Sequence, residues 1–254
     1  MSEKNNKNVV LAVIVVAILA YLPFYTTRKA ALDKAIENYV VENPKVIDAS
    51  MRKFFGMPSL EEEKNLAEQA KSPEEHAKVI NENKDALNSL DGAVILANPN
   101  GTVNMVEFMD FRCPFCKKNV DTMEKLAKED SSLRWILKPL NPLGGTEAAE
   151  IMYAASLQDS SKLRALHDAI FQDGGHANRE TLLKLAEGVG YDVKRLDKDM
   201  KSDAVRDMFN AAQKLFQALG GNGVPGIIIG ETFIEGAYPE DTFLEAIAKA
   251  KGKK

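Results

Sequence analysis

The sequence has few of the side chains that hold metal ions. It contains three histidines and two cysteines, and the histidines lie far from the cysteines, without ligand spacing. Because a closed zinc site needs about four such ligands, the sequence argues against zinc. The residues concerned are His76, His167, His176, Cys113 and Cys116.

The sequence also lacks a large excess of basic or acidic residues. The 33 basic and 37 acidic side chains give a net charge of −4, and the basic residues are spread along the chain. This composition gives no indication of nucleic acid as a partner. No internal repeat is evident. With 254 residues, 45% of them hydrophobic, the chain can form one sizeable globular domain with accessory segments.

Charge is absent from residues 9–25, an apolar run that two lysines precede. Its length lies between the core of a secretory signal, about 7–15 residues, and a membrane-spanning helix, about 17–25. There is no evident Ala-x-Ala cleavage site, and Tyr21 and Tyr25 suit a membrane interface. We therefore expect residues 1–26 to be an uncleaved signal-anchor rather than a cleaved signal peptide. Either segment would carry the following chain out of the cytosol, where a disulfide persists.

Residues 27–90 have helical patterns but no candidate chemistry. Apolar stripes recur at helical spacing, and Pro44 and Pro73 suit first turns of helices. Two capping boxes, Ser59 with Glu62 and Ser72 with Glu75, predict further helix starts. This helical arm either packs on its own domain or associates with other copies of the chain. The stripes comprise Leu32, Ile36, Tyr39 and Val40, then Val46, Ile47, Met51, Phe54 and Phe55.

The two cysteines lie three positions apart, at the end of a predicted strand over residues 102–109. After Cys116 the apolar residues recur at helical spacing, and Pro114 suits the first turn of a helix. The free N–H groups and the positive dipole end of that helix favour a thiolate on Cys113. The spacing lets Cys116 close a disulfide with Cys113 that opens on attack and closes again.

Two other interpretations of this cysteine pair remain open. A structural disulfide between such close neighbours would close a tiny loop and add little stability. A soft ion such as Cu(I) can accept two thiolates, so a metal carrier is an alternative function.

The elements that follow predict a mixed sheet. A short strand begins at Gly92, and further strands are predicted at residues 102–109 and 133–138. Helical patterns then occupy about residues 144–219, before a hairpin with a Gly230–Glu231 turn and a closing helix over residues 241–250. We therefore expect an α/β domain over residues 91–254 with a large helical insertion.

These motifs resemble a known family. Cys-Pro-Phe-Cys at 113–116, at a strand-to-helix junction, and Gly-Val-Pro-Gly at 223–226, before the last hairpin, are similar to the DsbA-like thiol–disulfide oxidoreductases of bacteria. The resemblance covers about residues 90–250 and implies a thioredoxin-like fold with an inserted helical domain. Residues 39–44 resemble the N-terminal extensions by which some members oligomerise, which implies a homo-oligomer.

The resemblance implies a role for each matching residue. Cys113 would be the exposed nucleophile and Cys116 the more buried resolving thiol. Pro225 would be cis, and the backbone of Val224 would pair with an extended substrate. A trans, merely structural proline at the start of a strand is the alternative. Pro114 and Phe115 would belong to the surface that meets the substrate.

Glu107 lies six residues before Cys113, where members of the family keep an acid beneath the active site. The resemblance implies that it relays a proton to or from Cys116. The alternative from period-two alternation is a strand residue that faces solvent.

Phe115 departs from the family pattern, since DsbA itself has a histidine there that helps to stabilise the thiolate. Phenylalanine neither donates a hydrogen bond nor carries charge. Arg112, Lys117 and Lys118 are candidates for compensating positive charge, although exposed cations contribute little. We expect a less oxidising disulfide than that of DsbA, which leaves the direction of the reaction open.

The resemblance implies an enzyme that exchanges disulfides with extended or unfolded proteins and needs no cofactor. The apolar N-terminal segment predicts that it works in the periplasm or otherwise outside the cytoplasm, anchored in the inner membrane by its N-terminus. An oxidase would need a membrane partner that reoxidises it, whereas an isomerase or reductase would need an electron donor and suits an oligomeric arm.

Overall fold

The computed structural model describes residues 28–29, 31–54, 59, 71–90 and 93–252, with no side-chain description at 51, 53 and 54. The predicted signal-anchor at 1–26 and the capping box between Ser59 and Glu62 lie outside the described residues. No helix within the described ranges is long and apolar enough to cross a membrane. The chain divides into two units between residues 63 and 64.

The first unit contains two helices in its described part, α1 (residues 31–42) and α2 (Pro44–Phe54). Several large apolar side chains of these helices are exposed, and those of Leu32, Ile36 and Tyr39 are 52–60% accessible. The predicted helical character of the arm is present here, with Pro44 in the first turn of α2.

The first helices in the described part of the second unit are α3 (Pro73–Glu82) and α4 (Lys84–Asn88). The predicted capping box forms, since Ser72 Oγ accepts from the Glu75 N–H at 3.2 Å and Glu75 Oε2 from the Ser72 N–H at 2.7 Å. The ring of His76 packs edge-on against that of Phe233, with centroids 5.0 Å apart. These helices therefore lie in the same unit as the sheet, and the predicted domain boundary at residue 90 stays a prediction.

Five strands form one mixed sheet in the order β1-β3-β2-β4-β5, where β2 and β3 are parallel and the other neighbours antiparallel. The hairpin between β4 and β5 turns through Gly230 and Glu231, as predicted, because Ile229 pairs with Thr232. The strands are β1 (Val94–Ala97), β2 (Val103–Met109), β3 (Leu133–Pro139), β4 (Gly226–Ile229) and β5 (Thr232–Glu235).

Helices cover the sheet and form the predicted insertion. The helix α5 (Pro114–Glu129) joins β2 to β3, and α11 (Glu240–Gly252) closes the domain. The predicted α/β fold with a large helical insertion is confirmed. The insertion consists of α6 (Thr146–Ser156), a 3₁₀ turn (Ser160–Lys162), α7 (Leu163–Gln172), α8 (Arg179–Val189), α9 (Val193–Asp199) and α10 (Asp203–Ala218).

The central strands β2 and β3 are buried on both faces, as helix-covered parallel strands usually are. On one face Trp135 packs edge-on against His167 of α7, with ring centroids 5.6 Å apart. On the other face Phe108 packs against Phe216 of α10, at 5.2 Å. The carboxyl end of β2 then delivers the cysteines to the start of α5.

Candidate active site

Cys113 forms the N-terminal cap of α5, with extended backbone angles (φ −83°, ψ 117°), and Pro114 begins the helix. Its Sγ accepts a hydrogen bond from the backbone N–H of Cys116 at 3.4 Å. Both cysteines are free thiols in this structure. The strand-to-helix turn therefore aims a helix N-terminus at the sulfur of Cys113.

The pKa values of the two cysteine thiols are shifted in opposite directions. The hydrogen bond from the Cys116 thiol is the largest of the effects that lower the pKa of Cys113 to about 7, and the N–H groups of Cys116 and Phe115 add to it. Burial and the charge of Asp110 act against this. Burial raises the pKa of Cys116 well above its usual value, and its hydrogen bond to Cys113 raises it further. Near neutral pH the pair can hold one thiolate beside one thiol.

The expectation of an exposed Cys113 is wrong for this structure, because only 3% of the residue is accessible. The carbonyl oxygen of Val224 lies 3.3 Å from its Sγ and accepts a hydrogen bond from the thiol. Cys116 is completely buried, so Cys113 is still the more accessible of the two.

The loop that carries Val224 is fastened to β5. The peptide bond between Val224 and Pro225 is cis, the form that the family resemblance implies. The carbonyl of Pro225 accepts from the N–H of Gly236 at 2.7 Å, and Glu235 Oε1 accepts from the N–H of Gly223 at 2.6 Å. Sequence reasoning missed Glu235, since nothing in the strand pattern marks it as the anchor of the neighbouring loop.

Glu107 lies on β2 and is 1% exposed, which rules out a solvent-facing strand position. Its Oε2 accepts a hydrogen bond from the indole N–H of Trp135 at 2.9 Å. The pKa of Glu107 is raised to about 8, mainly because the carboxyl group is buried. The hydrogen bond from Trp135 opposes this rise, and the charge of Cys113 adds to it. The negative charge of Glu107 in turn helps to raise the pKa of Cys116. A carboxyl group that gains and loses its proton near neutral pH is thus placed beside the cysteine pair.

A second buried acid, Asp110, holds the loop that leads to Cys113. Its Oδ1 accepts from the Arg112 N–H at 2.9 Å, and its Oδ2 from the Leu143 N–H at 2.8 Å. A Cβ on Gly145 would lie 2.3 Å from Oδ1, so a glycine is needed there. Sequence reasoning missed Asp110; an acid three residues before the first cysteine was the available signal.

The insertion also contacts this loop through Gly175. A Cβ at that position would lie 2.0 Å from the carbonyl oxygen of Phe111, and the residue has a φ of +75°. Both the contact and the backbone conformation therefore favour glycine.

The compensating cations expected near Cys113 are not among the main causes of its lowered pKa. Lys117 Nζ donates to the Phe171 carbonyl at 3.1 Å, and Arg112 Nη1 to the Leu143 carbonyl at 3.5 Å. The hydrogen bond from the Cys116 thiol, together with those from the backbone N–H groups of Cys116 and Phe115, rather than side-chain cations, lowers the pKa of Cys113.

Apolar surface flanks the cysteines. Pro114 is exposed, and Phe115 is 44% accessible. Tyr238 is half exposed and follows Gly236, whose N–H binds the carbonyl of Pro225. Within the described residues, no three His, Cys, Asp or Glu side chains are grouped as metal ligands would be.

The chain is similar to proteins of one family. A family model described as a DSBA-like thioredoxin domain matches residues 104–248. A thioredoxin-like oxidoreductase from Silicibacter pomeroyi DSS-3 is 31% identical, with a TM-score of 0.61 over 67% of this chain and 98% of that one. No curated protein matches the chain.

Two further structures, both under 25% identical, share the fold. The thiol-disulfide exchange protein alpha-DsbA2 from Wolbachia pipientis is 23% identical, with a TM-score of 0.64 over 71% of this chain and 99% of that one. A periplasmic thioredoxin-like protein from Salmonella enterica serovar Typhimurium is 22% identical, with a TM-score of 0.57 over 66% and 95%.

Proposed function

Because the chain belongs to the DSBA-like thioredoxin-domain family and is a protein thiol–disulfide oxidoreductase, we propose that Cys113 and Cys116 are its redox pair, acting on extended or unfolded proteins. The observation that carries this proposal is that the pKa values of the two thiols are shifted in opposite directions. Cys113 caps α5 with a pKa lowered to about 7, whereas burial raises that of Cys116. Cys113 is therefore suited to attack a substrate disulfide, and Cys116 stays protonated until the mixed disulfide has formed.

In the reducing direction, the Cys113 thiolate attacks one sulfur of a substrate disulfide. A mixed disulfide forms, and the other substrate sulfur leaves as a thiolate. Cys116 then loses its proton and attacks Cys113 Sγ, which releases the second substrate thiolate and leaves the Cys113–Cys116 disulfide. Oxidation of a substrate dithiol runs through the same steps in reverse, so atoms and electrons balance in both directions.

Glu107 is the group that takes the proton of Cys116 in this scheme and returns it in the reverse reaction. Its burial beside the pair and a pKa of about 8 support the assignment, because a proton acceptor works best when its pKa lies near the working pH. Replacement by glutamine should slow resolution of the mixed disulfide while leaving the first attack by Cys113 unchanged.

Substrate recognition is assigned to the surface around Cys113. The backbone of Val224 would pair with an extended chain, as a strand pairs with a sheet edge, after its carbonyl leaves the Cys113 thiol. Pro114 and Phe115 would add apolar contact, since both are exposed beside the sulfur.

Replacement of Cys113 tests the nucleophile assignment. The Cys113→Ala variant should be inactive in insulin reduction. Cys116→Ala is the matched control, since it keeps the nucleophile and should accumulate a mixed disulfide with substrate. Insulin reduction retained by Cys113→Ala would overturn the assignment.

The direction of the reaction in the cell is tested by trapping the thiols with an alkylating reagent in acid-quenched, denatured extracts. A Cys113–Cys116 disulfide in most molecules would identify an oxidase with a reoxidising membrane partner. Free thiols in most molecules would identify an isomerase or reductase that receives electrons. In the native protein, before denaturation, thiols that react only after a Cu(I) chelator is added would identify the soft-metal carrier instead.

The proposed location is the periplasm, with residues 1–26 as an inner-membrane anchor. The apolar sequence of residues 9–25 and the similarity to a periplasmic protein of Salmonella support it. Protease added to spheroplasts should digest the enzyme, which should also sediment with membranes. Digestion only after lysis would contradict the location, and release into the soluble fraction would contradict the anchor.

We assign self-association to the arm of α1 and α2. Leu32, Ile36 and Tyr39 recur at helical spacing and are more than half exposed, a stripe suited to pairing with the same stripe of another copy. Light scattering on a chain that begins at residue 27 should give a multimer at micromolar concentration, and replacement of the three residues by lysine should give a monomer. A monomeric unsubstituted chain would refute this assignment.

A further inference from the structure

Trp135 is the single tryptophan of the chain and is completely buried on β3. Its side chain lies on the same face as Glu107 of the neighbouring strand β2, whose carboxylate accepts the indole hydrogen bond at 2.9 Å. The indole N–H can only donate, so it bonds to an oxygen of the carboxyl group and gains most when that group is charged.

The helix α7 holds the indole ring in place. The guanidinium of Arg164 lies 5.3 Å from the ring centroid, and the edge-on ring of His167 lies 5.6 Å away. Arg164 is itself fixed by Glu124 at 2.8 Å and by Asp168 at 2.9 Å. The donor therefore has a set direction before any proton moves.

We propose that Trp135 is a positioning residue of the redox reaction, which orients the carboxylate of Glu107 and keeps it ionisable for proton transfer with Cys116. This role rests on the proposed function of Glu107. Trp135 therefore acts on the resolving step through Glu107, to which its indole N–H donates.

The physical reason is the balance of two effects on the buried carboxyl group. Burial raises the pKa of Glu107, and the indole hydrogen bond is the effect that opposes the rise. Loss of the N–H should raise that pKa further, so that a smaller fraction of Glu107 is ready to accept a proton at pH 7. If the hydrogen bond to the charged carboxylate is stronger than that to the neutral acid by about 0.5–1.5 kcal/mol, that fraction changes by about two- to tenfold.

The groups that face Glu107 or the indole of Trp135 come from three neighbouring elements. From α5, the charge of Cys113 raises the pKa of Glu107, while the charge of Glu107 in turn raises that of Cys116. From β4, the residue paired with Glu107 is the apolar Ile227. From α7, Arg164 and His167 face the indole. Burial lowers the pKa of His167, so its titration falls below the range in which Glu107 responds.

The test is the pH dependence of the resolving step in Trp135→Phe, measured as attack of Cys116 on a glutathione mixed disulfide at Cys113. The rate at pH 7 should fall about two- to tenfold and recover towards the wild-type rate at higher pH. In Glu107→Gln the Glu107-dependent part of the profile should vanish, and adding Trp135→Phe to it should have no further effect on the profile.

Tyr153→Phe is the matched control, since it also deletes one buried aromatic donor, the hydroxyl that donates to the Pro139 carbonyl at 3.1 Å. It should lower stability without moving the pH profile. An unmoved profile in Trp135→Phe, together with a profile that Glu107→Gln does change, would overturn the inference and leave the proposed function intact. No change in Glu107→Gln would overturn the role of Glu107 and, with it, the inference.

A measurement on the unsubstituted protein covers the case in which Trp135→Phe does not fold. One tryptophan gives one indole N–H resonance in the ¹H–¹⁵N spectrum of the reduced enzyme. That resonance should shift through a transition near pH 8, the pKa of Glu107, and the transition should be absent in Glu107→Gln. A resonance that stays constant through this range would contradict the inference.

Discussion

Gly174 and Gly175 offer a controlled comparison within one turn of the insertion. Both have a left-handed backbone, with φ of +91° and +75°, so alanine is strained at either position. They differ in the space around them. A Cβ at Gly174 would meet nothing within 4 Å, whereas one at Gly175 would lie 2.0 Å from the Phe111 carbonyl oxygen and 3.2 Å from the Arg112 nitrogen.

The expected losses of stability follow from these two terms. The left-handed backbone should cost Gly174→Ala about 1–2 kcal/mol. Gly175→Ala should lose this amount and about 1–3 kcal/mol more, because the Phe111 carbonyl must move to admit the methyl group. Phe111 and Arg112 lead directly to Cys113, so insulin reduction should fall in Gly175→Ala and stay near the wild-type rate in Gly174→Ala.

Urea unfolding followed by the fluorescence of Trp135 measures both variants, since this tryptophan lies in the core beneath the site. Gly188→Ala is the control for a glycine that is not required. Gly188 lies in α8 with open space around it, so the substitution should stabilise the folded protein by about 0.5–1 kcal/mol. Equal losses in Gly174→Ala and Gly175→Ala would refute the reasoning, because the contact with the active-site loop would then carry no energy.

Three further predictions concern the charges of the site. Alkylation of Cys113 should accelerate as pH rises with a midpoint near pH 7, where half of the thiol is ionised, and level off about two pH units higher; a midpoint above 8 would contradict the lowered pKa of Cys113. Asp110→Asn should lower the pKa of Cys113, seen in thiolate absorbance, because the Asp110 charge raises it; it should also destabilise the loop by about 1–3 kcal/mol, whereas the exposed Asp121→Asn should do neither. Glu107, with its pKa raised from 4.5 to about 8 in the fold, favours folding when protonated, so stability is lost as pH rises between these values. Relative to wild type, Glu107→Gln should therefore gain on the order of 3 kcal/mol between pH 5 and 8 in urea unfolding, and a constant difference would contradict the raised pKa.

The strand, the cysteine pair and the helix after it could be predicted because their signals are local. Cysteine spacing, a first-turn proline and a change from period two to helical spacing all lie within about thirty residues. The two-residue turn at Gly230 and the capping box at Ser72 are local for the same reason.

The contacts that tune the site could not be predicted because they join distant parts of the chain. Asp110 meets Leu143 and Phe111 meets Gly175, and no residue type in these segments indicates its partner. Glu107 was ambiguous for another reason. Period-two alternation assigns one face of a strand to solvent, but β2 is covered on both faces, so the rule has no solvent face to assign.

The contact between the Cys113 thiol and the Val224 carbonyl links ionisation to docking. A thiol donates to that carbonyl, whereas a thiolate has no proton to donate and repels the oxygen 3.3 Å away. Formation of the nucleophile thus releases the backbone group that an incoming chain would use for pairing. Under the proposed function, a small oxidant would gain nothing from that released carbonyl, whereas a polypeptide would gain a backbone hydrogen bond. Ionisation of Cys113 would then favour protein substrates over small molecules.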